Sequence, residues 1–192
     1  MENQELMHIL ISWVTLSLAF SMASVYSHGL LPALTTSFPI ILLTLGTGFV
    51  FHEMGHRWVA KKFGCIAFFR MWWQGLALAL AMAIMTGGRL IFAAPGAVMI
   101  GGKRLTLREQ GLIAVTGPLV NLSVGVGFLA LSYSSTTLLA VIGNWGAYIN
   151  FFLAAFNLIP FPPLDGNKVL QWNPVVWFLT LAAAAYLLLP FL

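Results

Sequence analysis

The sequence predicts an all-α, polytopic membrane protein with about five transmembrane helices, a re-entrant element and a small membrane-associated β-hairpin. Of its 192 residues, 60% are hydrophobic and only 7% are charged, whereas about 25% charged residues are ordinary in soluble domains. Five apolar segments are long enough to cross a bilayer, which takes about 20 helical residues. The basic residues lie beside these segments and form no tract, so nucleic acid is not expected as a partner.

The five predicted spans are 6–27, 38–60, 110–133, 138–159 and 174–192. The first follows an N-terminus with two acids and no Lys or Arg, so it is expected to stay as a span and not to be a cleaved signal. Gly29, Pro32 and Pro39 are expected to break the chain between the first two spans, with Pro39 in the first turn of the second, where a helix accepts proline. Asn173 is expected to cap the last helix.

A sixth apolar stretch, 71–86, is predicted not to cross the membrane. With five spans and a cytoplasmic N-terminus, every Lys and Arg falls on the cytoplasmic side, and the outer turns 28–37 and 134–137 have none. A sixth crossing would move Lys103, Arg104 and Arg108 outside. We therefore predict a re-entrant element over about 66–104, with the N-terminus in the cytoplasm.

The β-hairpin is predicted inside this element. Two short apolar runs, 90–94 and 97–100, flank Pro95-Gly96, and Pro followed by Gly suits the central positions of a type II turn. Strand edges at membrane depth are tolerated only where protein or a cavity covers them. An uncovered edge could bind an extended peptide by strand addition.

A candidate metal site lies in the second span, where His52-Glu53-Met54-Gly55-His56 reads H-E-x-x-H. On a helix, residues four apart lie on the same face, so both imidazoles can reach one ion. Glu53 projects about 100° away from His52 and can act as a base beside the ion, as in zinc hydrolases. The motif also occurs by chance, but here the preceding residues 38–51 carry no charge.

Five acids are present, and a carboxylate in an apolar span is a functional candidate because burying it is costly. Glu2 and Glu5 are expected to be solvated at the terminus. Asp165 follows a proline-rich loop at the end of the fourth span, and it could complete an open zinc site or merely cap a short helix. Glu109 is the alternative third ligand, although nearby basic residues favour a solvated helix start.

Cysteine, asparagine and histidine are the other residue types that could take part in a site. The single cysteine, Cys65, excludes an internal disulfide and a cysteine-built metal site, and it is expected to be a packing residue. Asn121 is polar within an apolar run and could simply bond to a neighbouring helix. His8 and His28 lie near opposite ends of the first span and are expected at the interfaces.

Three motifs in this order resemble the site-2 protease family of intramembrane zinc metalloproteases: 52–56, Gly117-Pro118-Leu119-Val120-Asn121, and the stretch 157–166. The resemblance covers about 50–170, within a single integral membrane domain 1–192 whose catalytic core is about 38–170. It implies one Zn²⁺ per chain, held by His52, His56 and Asp165, with Glu53 as the base. It also implies that Asn121 positions substrate or the oxyanion, and that the sheet lies between the first two helices of a three-helix core.

The expected function is therefore a compact, multi-pass metalloprotease of the cell membrane, without a PDZ domain, that cleaves transmembrane protein or peptide substrates within the bilayer. Its active site would open towards the cytoplasm. A non-catalytic membrane scaffold or chaperone with a vestigial metal site is the main alternative. A metal-ion transporter would want further polar or acidic residues along a path through the spans, and none is expected there beyond Glu53 and Asp165.

Overall fold

A computed structural model describes residues 3–91 and 95–192. Within these residues the fold is largely helical, with one small sheet. The elements, in chain order, are α1 (Asn3–His28), α2 (Leu30–Pro32), a π-helical turn (Ala33–Ser37), α3 (Phe38–Lys62), β1 (Ile66–Met71), α4 (Trp73–Thr86), β2 (Gly96–Gly101), α5 (Leu107–Ser132), α6 (Thr137–Asn157), α7 (Asp165–Trp172), α8 (Pro174–Leu188) and a final 3₁₀ turn (Leu189–Phe191).

The prediction of five membrane-crossing helices is confirmed. Five helical segments of the described chain are long and apolar enough to span a bilayer: Asn3–His28, Leu30–Lys62, Leu107–Ser132, Thr137–Asn157 and Pro174–Phe191. Helix α4 has only 14 residues. At 1.5 Å per residue it is about 21 Å long, shorter than the hydrocarbon core of about 30 Å. This length agrees with the prediction that 71–86 is not a sixth span.

The predicted breaks before the second span are only partly right. Gly29 does interrupt the helix, with a φ of 89°. Pro32 and Pro39, however, lie inside a continuous helical segment, so the prediction that they break the chain is wrong. Pro39 does lie in the first turn of α3, as predicted. Pro32 falls in the first turn after Gly29, where its missing N–H costs nothing. The π-helical turn directly before Phe38 widens the backbone, which accommodates the ring of Pro39.

The small sheet is confirmed, but its strands differ from the predicted hairpin. β1 pairs with β2 in an antiparallel, two-stranded sheet, with α4 between them in sequence. The predicted turn at Pro95-Gly96 is wrong, because the Pro95 carbonyl accepts a hydrogen bond from the Trp72 N–H at 2.8 Å and so extends the ladder. Pro is tolerated at this strand start, where no donor is needed. Residues 92–94 of the predicted first strand lie outside the described residues.

The described residues of 1–47 and 69–97 form one compact unit. Inside it, α1 packs along α4, where the Tyr26 hydroxyl donates to the Ile84 carbonyl at 2.7 Å. The Trp13 indole N–H donates to the Leu42 carbonyl at 2.7 Å, and the neighbouring Gly46 leaves room for that ring. Two side chains of α1 therefore form hydrogen bonds with backbone carbonyls of α3 and α4.

Glu5 of α1 is buried, with 6% of its surface exposed, so the expectation that it is solvated is wrong. Its carboxylate Oε1 accepts a hydrogen bond from the Phe69 backbone N–H at 3.0 Å. The bond between Trp72 and Pro95 sets the register of the sheet, and it places the Phe69 N–H on the edge of β1 that faces away from β2. Glu5 thus covers part of that strand edge. The other terminal acid, Glu2, lies outside the described residues.

Replacing Glu5 by Ala should destabilise the fold by about 1–3 kcal/mol, since it removes the acceptor of a buried backbone N–H. Thermal or chemical unfolding of the detergent-solubilised protein measures this loss. Glu5→Gln keeps an acceptor oxygen and should lose less. Gln4→Ala, at an exposed neighbouring position, should be close to neutral. Equal stability of the Glu5→Ala and Gln4→Ala variants would contradict the assignment.

Residues 48–68 and 98–192 form the second unit. In it, α5 and α6 make a tight helical hairpin because glycines let the helices approach closely. Gly125 lies against the Phe151 ring, Gly146 lies against the Phe128 ring, and Gly143 lies against the backbone of Ser132. Helix α8 begins as predicted, with the Asn173 side chain accepting from two backbone N–H groups of the first turn.

Candidate metal centre

Helix α3 presents the two histidines of the H-E-x-x-H motif to the interior of the second unit. His52 and His56 are one helical turn apart and are only 5% and 6% exposed. Their Nε2 atoms lie 3.0 Å from each other. The close approach of α5 makes this possible, since Gly55 of α3 packs against Thr116 and Val120 of α5 without a side chain between the helices.

The other ring nitrogen of each histidine is bonded to an oxygen. The Nδ1 of His56 lies 2.8 Å from the carbonyl oxygen of Ile113, and the Nδ1 of His52 is bonded to the Oδ1 of Asn121. A carbonyl oxygen only accepts hydrogen bonds, so the Nδ1 atoms carry the hydrogens. Each neutral imidazole therefore directs the lone pair of its Nε2 towards the other histidine, as a metal ligand does.

Asp165 reaches the same point from the first residue of α7. The preceding loop folds back so tightly that Gly166 lies against the Leu158 carbonyl, where any Cβ would clash. The Oδ2 of Asp165 is 3.3 Å from His52 Nε2 and 3.1 Å from His56 Nε2. Leu164, and not Asp165, is the N-cap residue of α7. The carboxylate is thus turned to the imidazoles and does not cap the short helix.

The Asp165 side chain lies against both imidazoles, and a carboxyl group binds a metal ion as the ionised carboxylate. Since the side chain is only 13% exposed, a cation at the centre would also compensate the cost of burying its charge.

The three atoms fit one zinc ion. Their separations of 3.0, 3.1 and 3.3 Å are close to the roughly 3.3 Å between ligands that tetrahedral Zn–N and Zn–O bonds of about 2.0–2.1 Å require. Three acceptor atoms this close repel one another unless a cation lies among them. Gly117 of α5 leaves the space open, because a Cβ there would lie within 3.0 Å of the Nε2 atoms of His52 and His56.

Glu53 lies beside this group without belonging to it. His52, Asp165 and Lys168 are all within electrostatic reach of its carboxylate. The side chain is 7% exposed, and its Oε2 is buried with no hydrogen-bond partner among the described residues. A buried carboxylate oxygen without a partner is costly as a structural element, and it is available to take a proton from a bound molecule.

The structure brings together all five residues singled out from the sequence: the group His52, His56 and Asp165, which could hold a metal ion, with Glu53 and Asn121 directly beside it. Glu109, the alternative ligand, instead forms a capping box with Thr106 at the start of α5 and an ion pair with Lys103 at 2.7 Å.

Three further residues contribute to the site, and the sequence alone assigns no role to them. They are Gly117, Ile113 and Asn150 of α6, whose Oδ1 accepts from the Asn121 amide at 3.0 Å. Asn150 could have been found by the criterion that selected Asn121, a polar side chain within an apolar span. The Ile113 carbonyl carries no signal in a single sequence, and Gly117 is part of a motif there without a role of its own.

Comparison with known proteins gives several related zinc metalloproteases. "Putative zinc metalloprotease MJ0611" of Methanocaldococcus jannaschii is 46% identical over 142 residues, which cover 73% of each chain. "Putative zinc metalloprotease sll0528" of Synechocystis is 33% identical over 147 residues, 73% of this chain and 32% of its own. "Zinc metalloprotease MJ0392" of M. jannaschii is 25% identical over 138 residues, 69% of this chain and 33% of its own. This chain thus spans about a third of the length of the latter two.

No family model and no solved structure matches the chain. The apolar helices and the buried two-histidine, one-carboxylate centre nevertheless define its class, a zinc metalloprotease of membranes. The extent and identity of the match to the first relative then specify the family: the chain belongs to the site-2 protease family. Zinc is the metal that this family implies for the centre.

Proposed function

We propose that this protein is an intramembrane endopeptidase, which hydrolyses peptide bonds within or near the transmembrane segments of membrane-protein substrates. The observation that carries the proposal is the position of the three ligand atoms. They lie 3.0–3.3 Å apart beside the buried carboxylate of Glu53. Glu53 and both histidines are on a helix long and apolar enough to cross the bilayer, and Asp165 reaches them from the first residue of α7. A protease with its chemistry at that depth acts on substrates that share the membrane.

In this proposal His52, His56 and Asp165 hold the ion. When bound, zinc supplies a Lewis acid that polarises the scissile carbonyl and lowers the pKa of water. Glu53 takes a proton from the attacking water as the water oxygen bonds to the carbonyl carbon. Glu53 then gives the proton to the amine when the C–N bond breaks, and an amine and a carboxylic acid are released. The Oε2 of Glu53 supports this role, since no other group in the described part of the chain forms a hydrogen bond with it.

The substrate must be unwound before its carbonyl can be attacked, and β2 is suited to hold it extended. The sheet register directs the backbone groups of Val98 and Ile100 to the edge that faces away from β1. The side chains of both residues pack on a cluster that includes Ala60 and Ile113. Ile113 is the residue whose carbonyl bonds to His56, so an added strand would lie near the centre.

The orientation proposed for the protein places the N-terminus and the opening of the active site on the cytoplasmic side. The distribution of Lys and Arg supports it. The loop residues 159–163 before Asp165 are exposed, and with this orientation they face the compartment from which water enters. We propose that the enzyme is a multi-pass protein of the cell membrane with one zinc ion per chain.

The proposal is tested with purified protein in detergent, a single-span test substrate and metal analysis. Cleavage should stop with a zinc chelator and return when zinc is added. Asp165→Asn should lower the zinc content and the cleavage rate together, because the amide oxygen that replaces the carboxylate carries no charge to offset that of the ion. Cleavage that survives chelation, or full zinc occupancy in Asp165→Asn, would refute the metal centre proposed here.

A further inference from the structure

The amide of Asn121 is fully occupied within the protein. The residue is completely buried. One amide hydrogen is donated to the Gly48 carbonyl, with N and O 3.2 Å apart, and the other is donated to Asn150 Oδ1 at 3.0 Å. Its own Oδ1 accepts the Nδ1 hydrogen of His52. Both donors and an acceptor are therefore used, and no amide hydrogen is left to donate to a substrate oxygen.

The orientation of both amides is fixed by backbone carbonyls, which can only accept. Asn150 donates its amide hydrogen to the Gly146 carbonyl, one turn earlier in α6, at 2.9 Å. Its Oδ1 must therefore face Asn121. The Gly48 carbonyl fixes Asn121 in the same way, since a flipped amide would set two acceptors against each other. The direction of the hydrogen bonds is thus determined from α6 through α5 to His52 of α3.

Space for this arrangement is provided by Gly48, one turn before His52. Asn150 lies so close to the Cα of Gly48 that a Cβ there would clash with its amide. Asn150 itself is completely buried. The Gly146 carbonyl, the amides of Asn150 and Asn121, and the His52 imidazole form a contiguous hydrogen-bonded network in the second unit. The network ends at His52, whose Nε2 faces His56 and Asp165.

We infer that Asn150 is a positioning residue for the zinc centre, which acts through Asn121 to fix the tautomer and the ring orientation of His52. Asn121 acts on His52 and not on the substrate. This inference rests on the proposed zinc ligands. A partner that orients a histidine ligand typically contributes about 10–100-fold to metal affinity. Both asparagines therefore set how tightly the ion is held, before any substrate is present.

The test measures zinc affinity by chelator competition, and the visible spectrum of the Co²⁺-loaded protein, on the full chain in detergent. Asn150→Leu should weaken zinc binding about 10–100-fold and change the Co²⁺ spectrum. Asn150→Asp keeps the acceptor for Asn121, and its protonated form can still donate to Gly146, so it should recover most of the loss. Asn144→Leu makes the same change on an exposed face of α6 and should leave both readouts as in the wild type.

A double-mutant cycle tests whether Asn150 acts on the zinc centre through Asn121. If Asn150 acts through Asn121, Asn121→Ala should weaken zinc binding at least as much as Asn150→Leu, and the double variant should be no weaker than Asn121→Ala. Additive losses would show that Asn150 does not act through Asn121. If Asn150→Leu does not accumulate, the same cycle is built with Asn150→Ala, and Asn150→Asp again tests whether the acceptor restores zinc binding.

Failure of the inference can be told apart from failure of the proposed function. Wild-type zinc affinity and an unchanged Co²⁺ spectrum in Asn150→Leu, together with lost binding in His56→Ala, would overturn the positioning role and leave the metal centre in place. Wild-type affinity in both His56→Ala and Asp165→Asn would overturn the metal centre itself. A fall in cleavage rate in Asn121→Ala without any change in zinc affinity would return Asn121 to a role on the substrate.

Discussion

Replacing Glu53 by Gln is expected to lower the rate of peptide cleavage by about a thousandfold, within the range that a general base contributes, while the zinc content stays unchanged. The glutamine side chain has the same shape, so the packing around this 7% exposed residue is kept. Its amide oxygen is far too weak a base to take the proton from water. Because Glu53 is not one of the three proposed ligands, the ion should still be held.

The measurement needs two readouts from one preparation: the rate of cleavage of a single-span substrate and the zinc content per chain. Glu109→Gln is the matched control. Glu109 is a carboxylate in the capping box of α5, paired with Lys103 at the surface, and Gln also serves at this position of a capping box. This variant should cleave at the wild-type rate.

The outcomes separate the two roles that Glu53 could have. Loss of cleavage with zinc retained fits a base. Loss of both would make Glu53 a ligand or a structural residue, and full activity would exclude it from the chemistry. A residual rate in Glu53→Gln is expected to depend on zinc still, since the three ligands are untouched.

The sequence predicted those parts of the site that depend on local spacing or on the cost of burying charge. His52 and His56 are four residues apart, and helical geometry alone places them on one face. Asp165 is a candidate because few carboxylates occur in so apolar a chain. The span lengths follow from the same bilayer physics, and α8 begins at the predicted cap.

The errors arose where partners distant in sequence decide the structure. The partner of Glu5 is the N–H of Phe69, 64 residues away, and a burial rule based on terminal position could not anticipate it. The Pro95-Gly96 pair fits a local turn, but pairing with β1 outweighs that preference. Asn150 can be selected as a polar residue within an apolar span, but the carbonyls that surround it are not contained in a single sequence.

The second large effect is expected at Gly117. Gly117→Ala should lower zinc affinity at least about 100-fold, the upper end of the cost of changes around a ligand, and should abolish cleavage with it. The new Cβ would lie within 3.0 Å of the Nε2 atoms of His52 and His56, in the space proposed for the ion. The rings cannot simply move aside, since Asn121 and the Ile113 carbonyl fix their Nδ1 atoms.

Gly127 provides the control on the same helix, since a Cβ at that position would have no atom within 4 Å. Gly127→Ala should bind zinc as the wild type does and should be more stable by up to about 1 kcal/mol, because Ala favours a helix over Gly. Chelator competition measures the affinity, and unfolding in detergent measures the stability. If Gly117→Ala bound zinc as tightly as Gly127→Ala, the ion would have to lie outside the space between these two imidazoles, and the centre described here would be misplaced.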